Sequence, residues 1–180
     1  MLTHMTHVTA KSLQRGSAST VLVVLVLLGA VFVWYTGNRM PNLVASHFGI
    51  SGIADGFMRR QTYVNFFLGV TVVLPFLVSL PITLVLRNPD AIINLPNRDY
   101  WLAPERRAET FEFVRSQMMR FGIGLVLFLC YVHWLIVRAN GLSPPSLSNA
   151  SFASALIVLV GYMIVWTAIF YTRFRKPPKS

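Results

Sequence analysis

The stretch ASTVLVVLVLLGAVFVWYTG, residues 18–37, runs without a single charged side chain. About twenty consecutive apolar residues is the length an α-helix needs to cross the hydrocarbon core of a bilayer. Lys11 and Arg15 precede it, and it closes on Trp34 and Tyr35, then Gly37 and Asn38. That ending reads as aromatic rings at the membrane–water boundary followed by a helix stop. Residues 1–45 make a weaker cleaved signal peptide, because the apolar run is long and Leu43, Val44 and Ala45, coming after Arg39, are a poor cleavage site.

Three more runs repeat the signal. Residues 61–86 lie between Arg59-Arg60 and Arg87, residues 121–137 between Arg120 and Arg138, and residues 151–172 end at Arg173, Arg175 and Lys176. The third is short, so its flanking arginines are expected to snorkel toward the head groups. Composition agrees: 54% of the residues are hydrophobic and 12% charged, too few polar groups to cover a soluble domain. The reading is an all-α membrane protein, a four-transmembrane-helix bundle forming one membrane domain over residues 1–180, with spans near 18–37, 61–86, 121–137 and 151–172.

The formal charge of +10 comes from 16 Lys and Arg against 6 Asp and Glu. These basic residues flank apolar runs and form no stripe interleaved with aromatics, so nucleic acid is not the expected partner. Two precede the first span, six fall in the middle connection and four in the tail, against three and one in the other two loops. The positive-inside rule then places both termini and the middle connection in the cytoplasm. Cys130 is the only cysteine and lies within an apolar run, which leaves no intrachain disulfide and no CxxC metal site.

Pro75 and Pro81 fall inside the second span. Each removes a backbone donor and crowds the preceding turn, so this helix is expected to kink or partly unwind. Neither Gly122 with Gly124 nor Ala155 with Gly161 forms a GxxxG pair, and oligomerisation is left open.

The outer loop, residues 40–60, reads MPNLVASHFGISGIADGFMRR. Glycines at 49, 52 and 56 supply tight turns, and the interleaved apolar residues fold the segment back into a compact cap. Within it His47 and Asp55 are the candidates to share a proton or hold a cation, with a structural hydrogen bond as the plainer alternative. His133, in the third span, is expected toward the outer end of its helix. There it either joins His47 and Asp55 in a polar cluster or sits at the boundary beside Trp134.

The cytoplasmic connection, residues 87–120, holds five of the six acidic residues and contains NRDYWLAPERR, residues 97–107. Pro104 and Glu105 suit a helix start that continues into the third span. Tyr100 and Trp101 are expected to anchor at the inner boundary. Arg106 and Arg107 meet anionic lipid or a cytoplasmic protein.

These two loops resemble a family of bacterial membrane proteins of largely unknown function whose N-terminal module also occurs in SdpI-type immunity proteins, which guard against a secreted killing toxin. Residues 41–56 are similar to that family's Pro-x5-His-Phe-x3-Gly-x2-Asp-Gly loop, and residues 97–107 to its Asn-Arg-Asp-Tyr-Trp-Leu-Ala-Pro-Glu-Arg-Arg stretch. The likeness covers about residues 35–120. It implies a bacterial cytoplasmic membrane location and protection of the membrane against a secreted peptide. It also implies outer contacts through Pro41, His47, Gly52, Asp55 and Gly56 and inner contacts through Asn97, Tyr100, Trp101, Glu105, Arg106 and Arg107; His133, beyond the likeness, is an outer candidate by its position in the third span. A sensor or scaffold signalling to a cytoplasmic partner is the second reading. A small transporter is the third, since the spans offer few polar groups beyond His133 and Asn65. No HExxH, Gly-x-Ser-x-Gly or phosphate-binding loop occurs, so neither a catalytic residue, a metal nor a cofactor is expected.

Overall fold

The computed structural model describes residues 2–88 and 90–175, with side chains from residue 18 onward. Lys11, Arg15, Lys176 and Lys179, part of the orientation argument, lie outside the side chains so described. The elements in chain order are α1 (Leu2–Gly37), β1 (Leu43–Phe48), β2 (Ala54–Arg59), α2 (Arg60–Val85), α3 (Arg98–Trp101), α4 (Pro104–Asn140) and α5 (Asn149–Arg175). Among the described residues four helices, α1 from Ala18, α2, α4 and α5, are long and apolar enough to cross a membrane. The chain is a four-helix membrane protein carrying one small antiparallel sheet.

Three of the helices pack on one another, and α5 lies against α4. The buried positions of α1 are Leu22, Val26, Gly29, Val33 and Gly37, a spacing of three and four that draws one stripe down the helix. On α2 the stripe is Tyr63, Phe67, Thr71, Pro75 and Ser79. On α4 it includes Gly122, Val126, Leu129, His133 and Ile136. The opposite faces carry exposed Leu27, Val31, Phe66, Val73 and Leu77, and α5 exposes Ile157, Val158, Ile164 and Val165. Such faces are stable only with lipid as their solvent.

The expectation that the connection helix continues into the third span is met in full. α4 is one unbroken helix of 37 residues starting on Pro104, about 55 Å long at 1.5 Å per residue. Pro has no N–H to lose at a helix's first position, so it opens the helix without penalty. Partial unwinding of the second span does not occur. α2 remains helical across Pro75 and Pro81, with Ser79 Oγ donating to the Pro75 carbonyl at 2.7 Å and Thr83 Oγ1 to the Ser79 carbonyl at 3.0 Å.

At the end away from the sheet, the connection folds under α5. Asn97 adopts a left-handed conformation, φ 54°, which turns its side-chain amide toward the last turn of α5. Its Nδ2 donates to the Phe174 carbonyl at 3.0 Å and the Arg175 carbonyl at 2.9 Å. Trp101 Nε1 donates to the same Phe174 oxygen at 3.3 Å. The final carbonyls of a helix have no partner within it, and here two side chains of the connection supply one. Trp101 is therefore a buried cap, packed against Phe174 with Leu95 and Phe111, and not the boundary anchor expected from its sequence context.

Candidate functional site

The glycine-rich segment is a β-hairpin where the sequence suggested only successive tight turns. Leu43 faces Arg59, Val44 faces Met58 and Ala45 faces Phe57. The register then slips, so that His47 faces Gly56 and Phe48 faces Ala54. Ser46 on β1 and Asp55 on β2 are thus unmatched, and such bulges re-aim the side chains around them. The slip brings Asp55 to His47, whose Nδ1 is hydrogen-bonded to Asp55 Oδ1. Both side chains are open to solvent, 75% and 55% exposed, so the pair is available to a ligand. Gly56 lies directly beneath the imidazole: a Cβ there would stand 2.8 Å from His47 Cβ, closer than real side chains approach.

The hairpin is mounted firmly. At its tip Gly52, φ +81°, exchanges a hydrogen bond with the loop after α4, Leu147 N–H donating to the Gly52 carbonyl at 2.8 Å. Ala54 N–H donates to the Pro145 carbonyl at 3.1 Å, and Asn149 Nδ2 donates to the Ile50 carbonyl at 2.7 Å. At its base Asn140, the last residue of α4, behaves like a piece of a third strand. Its Oδ1 accepts from Ala45 N–H at 2.8 Å, and its Nδ2 donates to the Ala45 carbonyl at 2.9 Å. Arg60 Nη1 donates to the Met40 carbonyl at 2.9 Å and closes the other corner. Pro41 is exposed in the turn between α1 and β1.

His133 does not join His47 and Asp55. It is fully buried between α1 and α2. Nε2 lies 2.7 Å from Thr36 Oγ1 and Nδ1 lies 2.8 Å from the Tyr63 hydroxyl. The Thr36 hydroxyl already donates to the Phe32 carbonyl at 2.7 Å. It can therefore only accept from His133, which assigns the proton to Nε2 and leaves Nδ1 to accept from Tyr63. Phe32, Tyr63 and Phe67 surround the ring with centroids 5.2 to 5.7 Å away. A buried imidazole with both nitrogens satisfied and three aromatic neighbours is a joint tying three helices together. The expected depth is met, since Thr36 and Tyr63 lie at the ends of α1 and α2 that carry the hairpin; the expected neighbours are not, because depth does not fix which way a side chain faces. Its partners come from helices whose facing rotation the sequence does not state.

A family model described as a domain of unknown function, DUF1648, matches residues 23–77. The likeness is to a family without an assigned activity. The matched stretch holds the later part of α1, the hairpin and most of α2, and so contains Thr36, His47, Asp55 and Tyr63. His133 and Asn140 lie outside it. Comparison with curated proteins found no match, and comparison with solved structures found none.

At the other end, Arg106 lies over the Tyr100 ring at 4.0 Å and Glu105 is exposed. Arg107 approaches Asp90 at 3.8 Å, and Arg173 bonds Glu109 at 3.0 Å while covering Trp101. Asn97 and Trp101, expected at a partner surface, instead make the intramolecular contacts at the end of α5 described above. Sequence reasoning missed Thr36, Tyr63 and Asn140. Thr36 and Asn140 each precede a glycine at a helix end, a position that carries no sign of a long-range partner. The rule that an ionisable residue in a membrane span needs partners applies to Thr36 and Tyr63 through His133, and no such signal applies to Asn140.

Proposed function

We propose that this is a non-enzymatic protein of the bacterial cytoplasmic membrane whose hairpin faces outward and recognises a secreted peptide, in a protective, immunity-like role. The observation that carries this reading is the exposed His47–Asp55 pair on a hairpin held at both ends. Ile50 is fully exposed at its tip, and Leu43, Ile53 and Phe57 are more than half or about half exposed along it. A rigid, partly apolar surface with a polar pair at its centre suits a peptide better than an ion. The outward orientation is supported by the six arginines of the connection at the opposite end. The resemblance to SdpI-type proteins, carried by residues of this same hairpin, supports the protective role.

The test is the sensitivity of a deletion strain to secreted antibacterial peptides and to membrane-depolarising agents, with add-back of wild type, His47→Ala and Asp55→Ala. We expect wild type to restore resistance and both variants to reach the membrane at wild-type abundance without restoring it. Resistance restored equally by both variants would sink the assignment of the pair.

A specific feature favours a second reading, a sensor that signals to a cytoplasmic partner. α4 is one helix from Pro104, beside the connection, to Asn140, which holds the hairpin. A shift of the hairpin would move that helix as a unit. Unchanged peptide sensitivity in the deletion strain, together with co-purification of a cytoplasmic protein lost on Arg106→Ala, would favour it.

A further inference from the structure

Where α2 ends against the first turns of α4, the chain forms an open pocket of about 490 Å³. Thr83 comes from the last turn of α2, Arg87 from just beyond it, and Arg107, Phe111, Glu112 and Arg115 from one face of α4. Residues 107, 111 and 115 are four apart, so they stack on one side of the helix. The three guanidinium groups are opposed by Glu112, ion-paired with Arg115, and by Asp90, 3.8 Å from Arg107. That leaves the pocket with a positive balance. Arg107 and Arg115 are only 27% and 36% exposed, so their charges are presented in a recess and not waved in solvent. Phe111 and Leu86 supply an apolar wall.

Position narrows the ligand. The uncharged run of α2 stops at Leu86, and Arg87 is the first charged residue after it. The pocket therefore straddles the membrane boundary, with apolar residues on the hydrocarbon side and arginines on the water side. Planar guanidinium forks match phosphate oxygens. We infer that this pocket holds the phosphate of an anionic lipid headgroup, gripped by Arg87, Arg107 and Arg115 with Thr83 as a further donor, while an acyl chain runs along Leu86 and Phe111. The inference is independent of what the hairpin binds.

The experiment uses the full chain in neutral detergent, with thermal unfolding followed during titration with phosphatidylglycerol, phosphatidylcholine or inorganic phosphate. Retained lipid is counted by native mass spectrometry. Wild type should be stabilised by phosphatidylglycerol and not by phosphatidylcholine. Arg87→Gln, at an exposed position that folding tolerates, should weaken the apparent affinity about tenfold, as loss of one charge-assisted hydrogen bond implies. Arg115→Gln should do the same, and Arg106→Gln, whose side chain lies on Tyr100 outside the pocket, should leave it unchanged. Stabilisation by inorganic phosphate alone, with the same arginine dependence, would overturn the lipid assignment in favour of a soluble anion. Equal stabilisation of wild type and Arg87→Gln, or none, would overturn the site.

Discussion

Truncating Asn140 to alanine should detach the base of the hairpin from α4. Asn140 makes three side-chain hydrogen bonds, two to the backbone of Ala45 and one to the Ile136 carbonyl at 2.9 Å. Ala45 is fully buried, so its N–H and C=O would be left without partners away from water. Each such group costs about 1–3 kcal/mol. Water entering at the hairpin rim recovers part of that, and we expect a loss of about 2–4 kcal/mol. The Ile136 carbonyl keeps its helical partner and adds little. Because every 1.4 kcal/mol is tenfold, the Ala45 amide should exchange its hydrogen roughly a hundredfold faster. Hydrogen–deuterium exchange read over residues 43–48, with residues 122–130 of α4 as internal reference, measures this directly. Asn140→Asp separates hydrogen bonding from packing. The aspartate has the same shape and still accepts from Ala45 N–H, but its second oxygen would face the Ala45 and Ile136 carbonyls, so exchange should accelerate, though by less than with alanine. Wild-type exchange in Asn140→Asp would refute the assignment of the clamp to these bonds.

Two further expectations concern the joint and the tip. Tyr63→Phe removes one hydrogen bond from His133 and should cost about 1 kcal/mol, and His133→Leu about 2–3 kcal/mol, since it also strands the buried Tyr63 hydroxyl, whereas Thr36 keeps its bond to the Phe32 carbonyl. The double variant should fall short of the sum by about 1 kcal/mol, the coupling of residues in contact, and a thermodynamic cycle from unfolding in one detergent measures it. Gly52→Ala should cost about 1–2 kcal/mol for the left-handed backbone and more for the collision of its Cβ with the Leu147 carbonyl. Gly69→Ala, whose Cβ would meet nothing within 4 Å, should be neutral or gain up to about 1 kcal/mol. Thermal unfolding of the two variants side by side separates a turn requirement from a general dislike of losing glycine.

The four spans were legible because membrane insertion is read from local composition: a run of apolar residues long enough to cross leaves a signal that no distant contact can erase. The junction of the connection with α4 was legible at Pro104 for a similarly local reason. The hairpin was half legible. Its glycines and the His47 and Asp55 candidates stood out, but the strand register depends on the bulges at Ser46 and Asp55 and on a mount supplied by Asn140, 95 residues away from Ala45.

What sequence alone determined is therefore the solvent each long helix needs and where its apolar span lies; α1 begins well before its span, at Leu2, and α4 and α5 run three residues past theirs. Tertiary structure decided which faces meet. It moved His133 from a surface cluster into a buried joint with Thr36 and Tyr63, and it turned Asn97 and Trp101 from a contact surface into the cap of α5. It also gathered Arg87 and Arg115 beside Arg107. The physical reason is that hydropathy is a property of a segment, whereas hydrogen-bond partnership depends on the rotation and depth of helices relative to one another, which only their packing defines.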